Sequence, residues 1–160
     1  MKIKALIVSL MLVAALAAGW DVYEGDDYIV MMRSADYYEG RQLEPPTFAL
    51  LYREDFFGVI VEFGGPKIAF PRDLRTDVLV QLGDGSPYWI RPEVSVTDDA
   101  VLIDIQIALD IIDLHRGEWI RIGTVTTAGD VIHGEWLVSN YNEVLRRFLN
   151  LLPDTEEELR

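Results

Sequence analysis

The sequence contains no cysteine. That removes disulfides, thiolate metal sites and any Cys nucleophile. It also removes a lipid anchor, which would need a Cys after the apolar leader. Lysine is nearly absent: beyond Lys2 and Lys4 only Lys67 is found, and every other basic residue is Arg. Histidine is limited to His115 and His133. After the first nineteen residues no apolar run is long enough to cross a bilayer, which takes roughly 20 residues. There is no phosphate loop either. Gly64-Gly65-Pro66 and Gly83-Asp84-Gly85 are the candidate glycine clusters; neither opens a helix or leads into Gly-Lys-Ser/Thr.

What is present begins with a leader. Lys2 and Lys4 flank the start, and Ala5 to Gly19 then runs without a charge. The run ends in small residues, with Ala15-Leu16-Ala17 and Ala17-Ala18-Gly19 as alternative cleavage sites. A charged start, a short apolar stretch and a small-residue end form a secretory signal peptide, expected over residues 1–19. The competing reading, an uncleaved anchor, meets the difficulty that Ala5 to Trp20 is short for a spanning helix. Removing the leader leaves 12 basic residues against 27 acidic ones, a net charge of −15 for the mature chain. Such a surface repels nucleic acid and anionic lipid, so the expected partner is a protein, with no membrane span after cleavage. Half of the residues are apolar and 26% are charged, which suits one folded domain. That domain is expected over 20–152, followed by an acidic tail over 153–160.

Hydrophobic periodicity points to a mainly β, antiparallel β-sandwich with two short helices. Trp20–Glu24, Tyr28–Arg33 and Thr47–Arg53 are β-prone, and Ser34–Pro46 between the last two is polar and expected as a loop. Phe57, Val59, Val61 and Phe63 alternate with their neighbours, the mark of a half-buried strand. Short strands are expected at Lys67–Phe70, Thr76–Leu82 and Pro87–Arg91, the last two joined by a tight Asp84-Gly85 reversal with positive φ at both central residues. Glu93–Thr97 and Ala100–Ile103 follow. The period then becomes helical over Asp104–Arg116, with Gly117 as the stop. Glu118–Thr127 places Trp119, Arg121, Gly123 and Val125 on one side and Ile120, Ile122 and Thr124 on the other. Val131–Val138 is the last strand. Asn140 and Glu143 form a capping-box pattern ahead of a helix over Tyr141–Leu152 that buries Val144, Leu145, Phe148, Leu149 and Leu152. Hairpin-linked strands without βαβ alternation favour antiparallel pairing.

The order of these features carries a resemblance. It runs through Gly19-Trp20-Asp21-Val22, Leu51-Tyr52-Arg53, Gly58-Val59-Ile60-Val61-Glu62-Phe63 and Val80-Gln81-Leu82-Gly83-Asp84-Gly85-Ser86-Pro87-Tyr88-Trp89. It continues through Ala108–Ile112, Glu118-Trp119-Ile120-Arg121-Ile122 and Gly134-Glu135-Trp136-Leu137-Val138-Ser139. The succession resembles the VasI/EvfG-type proteins associated with type VI secretion and the related invasion-associated locus B family. Those families commonly carry a Cys just after the segment matching Leu51–Arg53, where this chain has Glu54. The resemblance implies an exported β-sandwich accessory protein of a bacterial envelope, with no catalysis and no catalytic residues to carry over.

The residues themselves offer several candidate sites. His115, at the end of the first helix, suits the negative end of the helix dipole. His133 lies in a strand. A hydrolytic triad would need a nucleophile beside one of them, and Ser139 and Thr124 lack the setting of a nucleophile elbow. Asp98-Asp99 with Asp104, and Asp26-Asp27, lack the spacing of a calcium loop. Glu62, Glu118 and Glu135 would serve glycoside cleavage only if two of them faced each other across a cleft. No cofactor, metal or catalytic residue is therefore assigned. The group that best fits an interface is Tyr88, Trp89 and Arg91 beside the hairpin tip, because these residue types anchor protein contacts. The expectation is an exported, non-enzymatic binding or accessory protein; the alternatives are a secreted hydrolase of cell wall or polysaccharide, and a structural envelope protein.

Overall fold

The computed structural model describes residues 19–40, 44–63, 77–91, 94–97, 100–103, 105–125, 129 and 131–153. The strands in chain order are β1 (Asp21–Glu24), β2 (Tyr28–Ser34), β3 (Tyr37–Glu39), β4 (Thr47–Arg53), β5 (Phe56–Glu62), β6 (Val78–Leu82), β7 (Tyr88–Ile90), β8 (Val94–Thr97) and β9 (Ala100–Ile103). Helix α1 (Ile105–Ile112), strands β10 (Trp119–Val125) and β11 (Val131–Leu137) and helix α2 (Tyr141–Leu151) complete the chain. They build two sheets, one of six strands in the order β1-β2-β4-β5-β9-β8 and one of five in the order β3-β11-β10-β6-β7. Every pairing within them is antiparallel. The protein is a mainly β sandwich with two short helices.

Alternation fills the space between the sheets. From the six-stranded sheet Met31, Phe48, Leu50, Val59 and Val61 point inward, and from the other Val78, Val80, Ile120, Ile122 and Trp136 meet them. Aromatic rings knit the layers. Phe48 lies 5.7 Å from Trp136 and 5.6 Å from Trp20, and Trp20 lies edge-on to Tyr141 at 5.1 Å. The polar tips of Trp20, Trp136 and Tyr141 each have a partner, as a dry interior requires. Trp20 Nε1 donates to the Leu137 carbonyl at 2.9 Å, Trp136 Nε1 to the Arg33 carbonyl at 3.1 Å, and the Tyr141 hydroxyl to the Ile111 carbonyl at 2.9 Å. The helices join the same core through Ile107, Ala108 and Ile111 of α1 and Leu145 and Phe148 of α2.

Several expectations are corrected. Within the expected loop Ser34–Pro46 lies β3, which pairs with β11 and so forms an edge of the five-stranded sheet. Its side chains are all exposed, so it shows no buried alternation. Helix α1 ends at Ile112, short of Arg116. His115 therefore lies past the helix, and its backbone N–H donates to the Glu118 carboxylate. Gly117, at φ 93°, turns the chain into β10. Asn140 precedes α2 without a side-chain capping bond, so the capping box does not form. Leu149 is exposed, while Tyr141 takes a buried place on that helix. The hairpin has a longer connection than a two-residue turn: φ is positive at Gly83 (55°) but not at Asp84 or Gly85, and Gly85 N–H donates to the Leu82 carbonyl at 3.0 Å. The leader, the Lys67–Phe70 strand, the Asp98-Asp99 and Asp104 carboxylates and the tail over 154–160 lie outside the described residues.

Candidate binding site

The outward face of the five-stranded sheet carries a concavity of about 480 Å³, within the range of small-ligand sites. Strand register sets its layout. One row runs from Glu39 through His133, Gly123 and Leu79 to Trp89, each opposite the next. The neighbouring row runs Tyr37, Glu135, Arg121, Gln81. Gly123 makes the trough. A Cβ there would stand 3.0 Å from His133 Cβ and 3.2 Å from the Ile132 carbonyl, closer than ordinary contact, so a larger residue on this floor would press on His133. The walls are apolar on one side, with Leu79, Pro87 and Trp89, and again beyond the floor, with Val125 and Val131. Trp89 is 61% exposed and Val131 65%.

Charge is gathered at the other end. Arg121 Nε lies 3.3 Å from Glu135 Oε2, and its guanidinium sits 5.8 Å from the Trp119 ring. Glu135 Oε1 is 3.5 Å from His133 Nε2, while His133 Nδ1 is 4.0 Å from Glu39 Oε2. Tyr37 leans on the His133 ring at 5.9 Å. Glu135 is thus shared between an arginine and a histidine, which holds a planar polar wall beside the apolar trough.

The expected trio does not form one patch. Trp89 faces outward opposite Leu79, and Arg91, one strand period on, pairs with Asp77 at 2.8 Å. That hydrogen bond and charge hold the Asp77 carboxyl below, and the Arg91 guanidinium above, their ordinary values. Tyr88 is opposite Val80, on the inward side. Partial burial, with the Asp110 charge second, raises its phenol pKa. Sequence reasoning missed Gly123, Leu79, Val125 and Val131. A glycine inside an alternating strand was the signal for the trough.

The remaining candidates are dispersed. Glu62 belongs to the six-stranded sheet, Glu118 meets the His115 amide, and Glu135 lies on the outward face of the five-stranded sheet. Glu62 and Glu135 belong to different sheets. Thr124 points inward and donates to the Asp77 carbonyl at 3.0 Å, and Ser139 is held by Arg33 and Asn140, so neither stands as a nucleophile beside His133. Among the described residues no group of three or more His, Asp or Glu side chains is placed to hold a metal ion, and no helix is long and apolar enough to cross a membrane. The geometry suits binding: a flat or apolar group can lie over Gly123 against Trp89, with hydrogen-bonding groups at one end. Comparison with protein-family models, with curated proteins and with solved structures finds no match.

Proposed function

We propose that this is an exported, non-enzymatic binding or accessory protein of the bacterial cell envelope, associated with a secretion system, and that it holds a protein partner in the trough beside Trp89. The observation that carries the reading is the trough itself: a large aromatic ring left 61% exposed beside a glycine floor, with apolar walls and an Arg–Glu–His rim. Leaving a Trp in water forgoes roughly 1.5–3 kcal/mol of burial, a loss that contact with a partner reverses. Trp and Arg are also the residues most often found at the energetic centre of interfaces. Export is supported by the leader pattern of residues 1–19, and the envelope role by the resemblance in feature order.

The test is to express the tagged chain with its leader, recover it from the periplasm or medium, and measure its mass. A mature product beginning between residues 18 and 20 is expected, and an exported product retaining Met1 would overturn the export reading. Proteins recovered with the tagged bait are then compared between wild type and Trp89→Ala. Selective loss of a partner with the variant is expected; unchanged recovery would discard the trough as its seat.

A further inference from the structure

The trough on the five-stranded sheet has a direction and a sign. Every residue lining it is described, and Trp89, Val125 and Val131 are exposed within it. The row Trp89, Leu79, Gly123, His133 and Glu39 crosses the strands from β7 to β3. In the order β7-β6-β10-β11, Trp89 and His133 are three strand spacings apart, or about 14 Å at ~4.8 Å each. The Trp89 end is apolar. At the other end two carboxylates stand against one guanidinium. Arg121 is engaged: its Nε lies 3.3 Å from Glu135 Oε2, and the guanidinium sits 5.8 Å from the ring of Trp119, two residues back along β10 and so away from Gly123. Glu135 Oε1 lies 3.5 Å from His133 Nε2, and Glu39 Oε2 lies 4.0 Å from Nδ1. A neutral imidazole has one N–H, so it serves only one of these two oxygens. The other faces a ring nitrogen that accepts and cannot donate. Beside the Trp89 end, Asp77 and Arg91 neutralise each other. The trough therefore carries a surplus of negative charge at its His133 end, on a chain whose net charge is −13.

We propose, on the reading that the trough seats the partner, that its occupant is an extended basic segment: an aromatic or large aliphatic side chain lies on Trp89, and an Arg or Lys reaches Glu39 and Glu135. Charge complementarity selects this occupant. A cation between the two carboxylates supplies the donor that the imidazole cannot give to both, and charge-assisted hydrogen bonds are the strong ones. The field of an acidic chain also draws basic segments toward it. An acidic segment would set like charges against Glu39 and Glu135 while Arg121 is already engaged, a costly arrangement. A neutral sugar could stack on Trp89 but would leave the negative surplus unanswered. Length sets the spacing. An extended chain advances about 3.3 Å per residue, so roughly four residues cover the way from Trp89 to His133. The basic residue therefore falls about four positions from the apolar one. Gly123, midway along the row, is the kind of strand position where another backbone can come close.

The chain recovered after expression is immobilised and used to select from a random peptide library displayed on phage, with Trp89→Ala as the counter-selection. Peptides that need Trp89 should be rich in Arg or Lys, with a basic residue about four positions from an aromatic or large aliphatic one. A synthetic peptide of the enriched sequence is then titrated by calorimetry. Trp89→Ala should weaken it about tenfold or more. Glu39→Gln, on an edge strand with its side chain in water, should weaken it about threefold, and Glu39→Lys further. Asp113→Asn, which removes a charge at an exposed site just past α1, should leave it unchanged. High salt should weaken it. Affinity unmoved by both Glu39 variants would overturn the inference. Trp89-dependent peptides that are neutral or acidic would also overturn it, while leaving the trough as a partner's seat. Trp89-dependent retention on an array of neutral oligosaccharides, with no such peptide found, would overturn it in favour of a sugar. Absence of any Trp89-dependent ligand would overturn it as well; only if partner recovery also ignores Trp89→Ala does the seat itself fall.

Discussion

Trp20 is the first of the described residues to enter the core, and replacing it tests how the domain begins. It is 3% exposed, meets Phe48 and Tyr141 edge-on, and donates Nε1–H to the Leu137 carbonyl on the opposite sheet. Trp20→Ala removes the ring and leaves a cavity between two sheets and α2, a change that costs about 3–5 kcal/mol in comparable cores. For a domain whose total stability lies at roughly 5–15 kcal/mol, that is a large fraction. At about 3 °C per kcal/mol the melting temperature should fall by around 10 °C. Trp20→Phe should cost about 1–2 kcal/mol, because it loses some area and one hydrogen bond. The Leu137 carbonyl is not orphaned in either variant, since Arg33 Nη1 also donates to it at 3.1 Å. Urea unfolding followed by the fluorescence of Trp136, buried in the same core, measures both variants. A loss below about 1 kcal/mol for Trp20→Ala would refute the placement of this ring as a keystone. The result bears on processing as well. A cut after Ala17 or Gly19 keeps the ring on the mature chain, whereas trimming past Trp20 should yield a protein as weak as Trp20→Ala.

Two further outcomes follow from side chains that tie elements together. Asp36 accepts the Leu137 N–H at 2.8 Å and pairs with Arg33, which itself reaches the Leu137 carbonyl and Ser139. Asp36→Ala should lower stability by about 1.5–2 kcal/mol, less for Asp36→Asn, in urea titrations. Tyr141 is buried, and burial drives its phenol far above the ordinary value of 10.0. A folded pKa raised in this way means full stability below pH 10 and a loss as pH climbs above it, because only the unfolded phenol ionises there. Tyr141→Phe should cost about 1 kcal/mol at neutral pH and flatten the alkaline fall in melting temperature; an unchanged alkaline limb would refute the burial.

Much of the fold was legible in the sequence because period-two alternation is a direct image of a sheet with two different faces. β5 shows this best, with Val59 and Val61 reaching the core as their spacing requires. The helix over Tyr141–Leu152 was legible for the same reason at a different period, and the structure trims it by one residue. What stayed hidden depends on contacts from afar. β3 is three exposed residues whose only claim to be a strand is pairing with β11, more than ninety residues away. Asn140 had the composition of a cap but not the backbone geometry, at φ −81° and ψ 11°. In the hairpin the Asp-Gly pair favoured one turn, and the close approach of Gly83 to Glu118 selected another: a Cβ on Gly83 would stand 2.5 Å from Glu118 Oε1. The binding trough depends on register. Only β10 pairing with β6 and β11 at once sets Gly123 between Leu79 and His133. Tyr88, Trp89 and Arg91 were chosen by residue type, and the pleat then divided them.

The two outward faces of the sandwich solve one problem in opposite ways. A sandwich needs only its facing surfaces to be apolar, and the outer face of an antiparallel sheet is ordinarily polar. Here both outer faces carry apolar groups beyond that need. On the five-stranded sheet they are interrupted: Arg121, Glu135 and His133 stand among Leu79, Val125 and Val131, and Gly123 breaks the surface into a trough. Such a face stays hydrated when empty and can hold a partner reversibly, since the charges that keep it wet also lie at the rim of the contact. On the six-stranded sheet the apolar groups are contiguous from β2 to β9, with Val30, Met32, Leu51 and Ile60 dry. That face is compatible with water only under a cover. An interrupted apolar patch tolerates water between contacts, whereas a continuous one is stable only while it is covered.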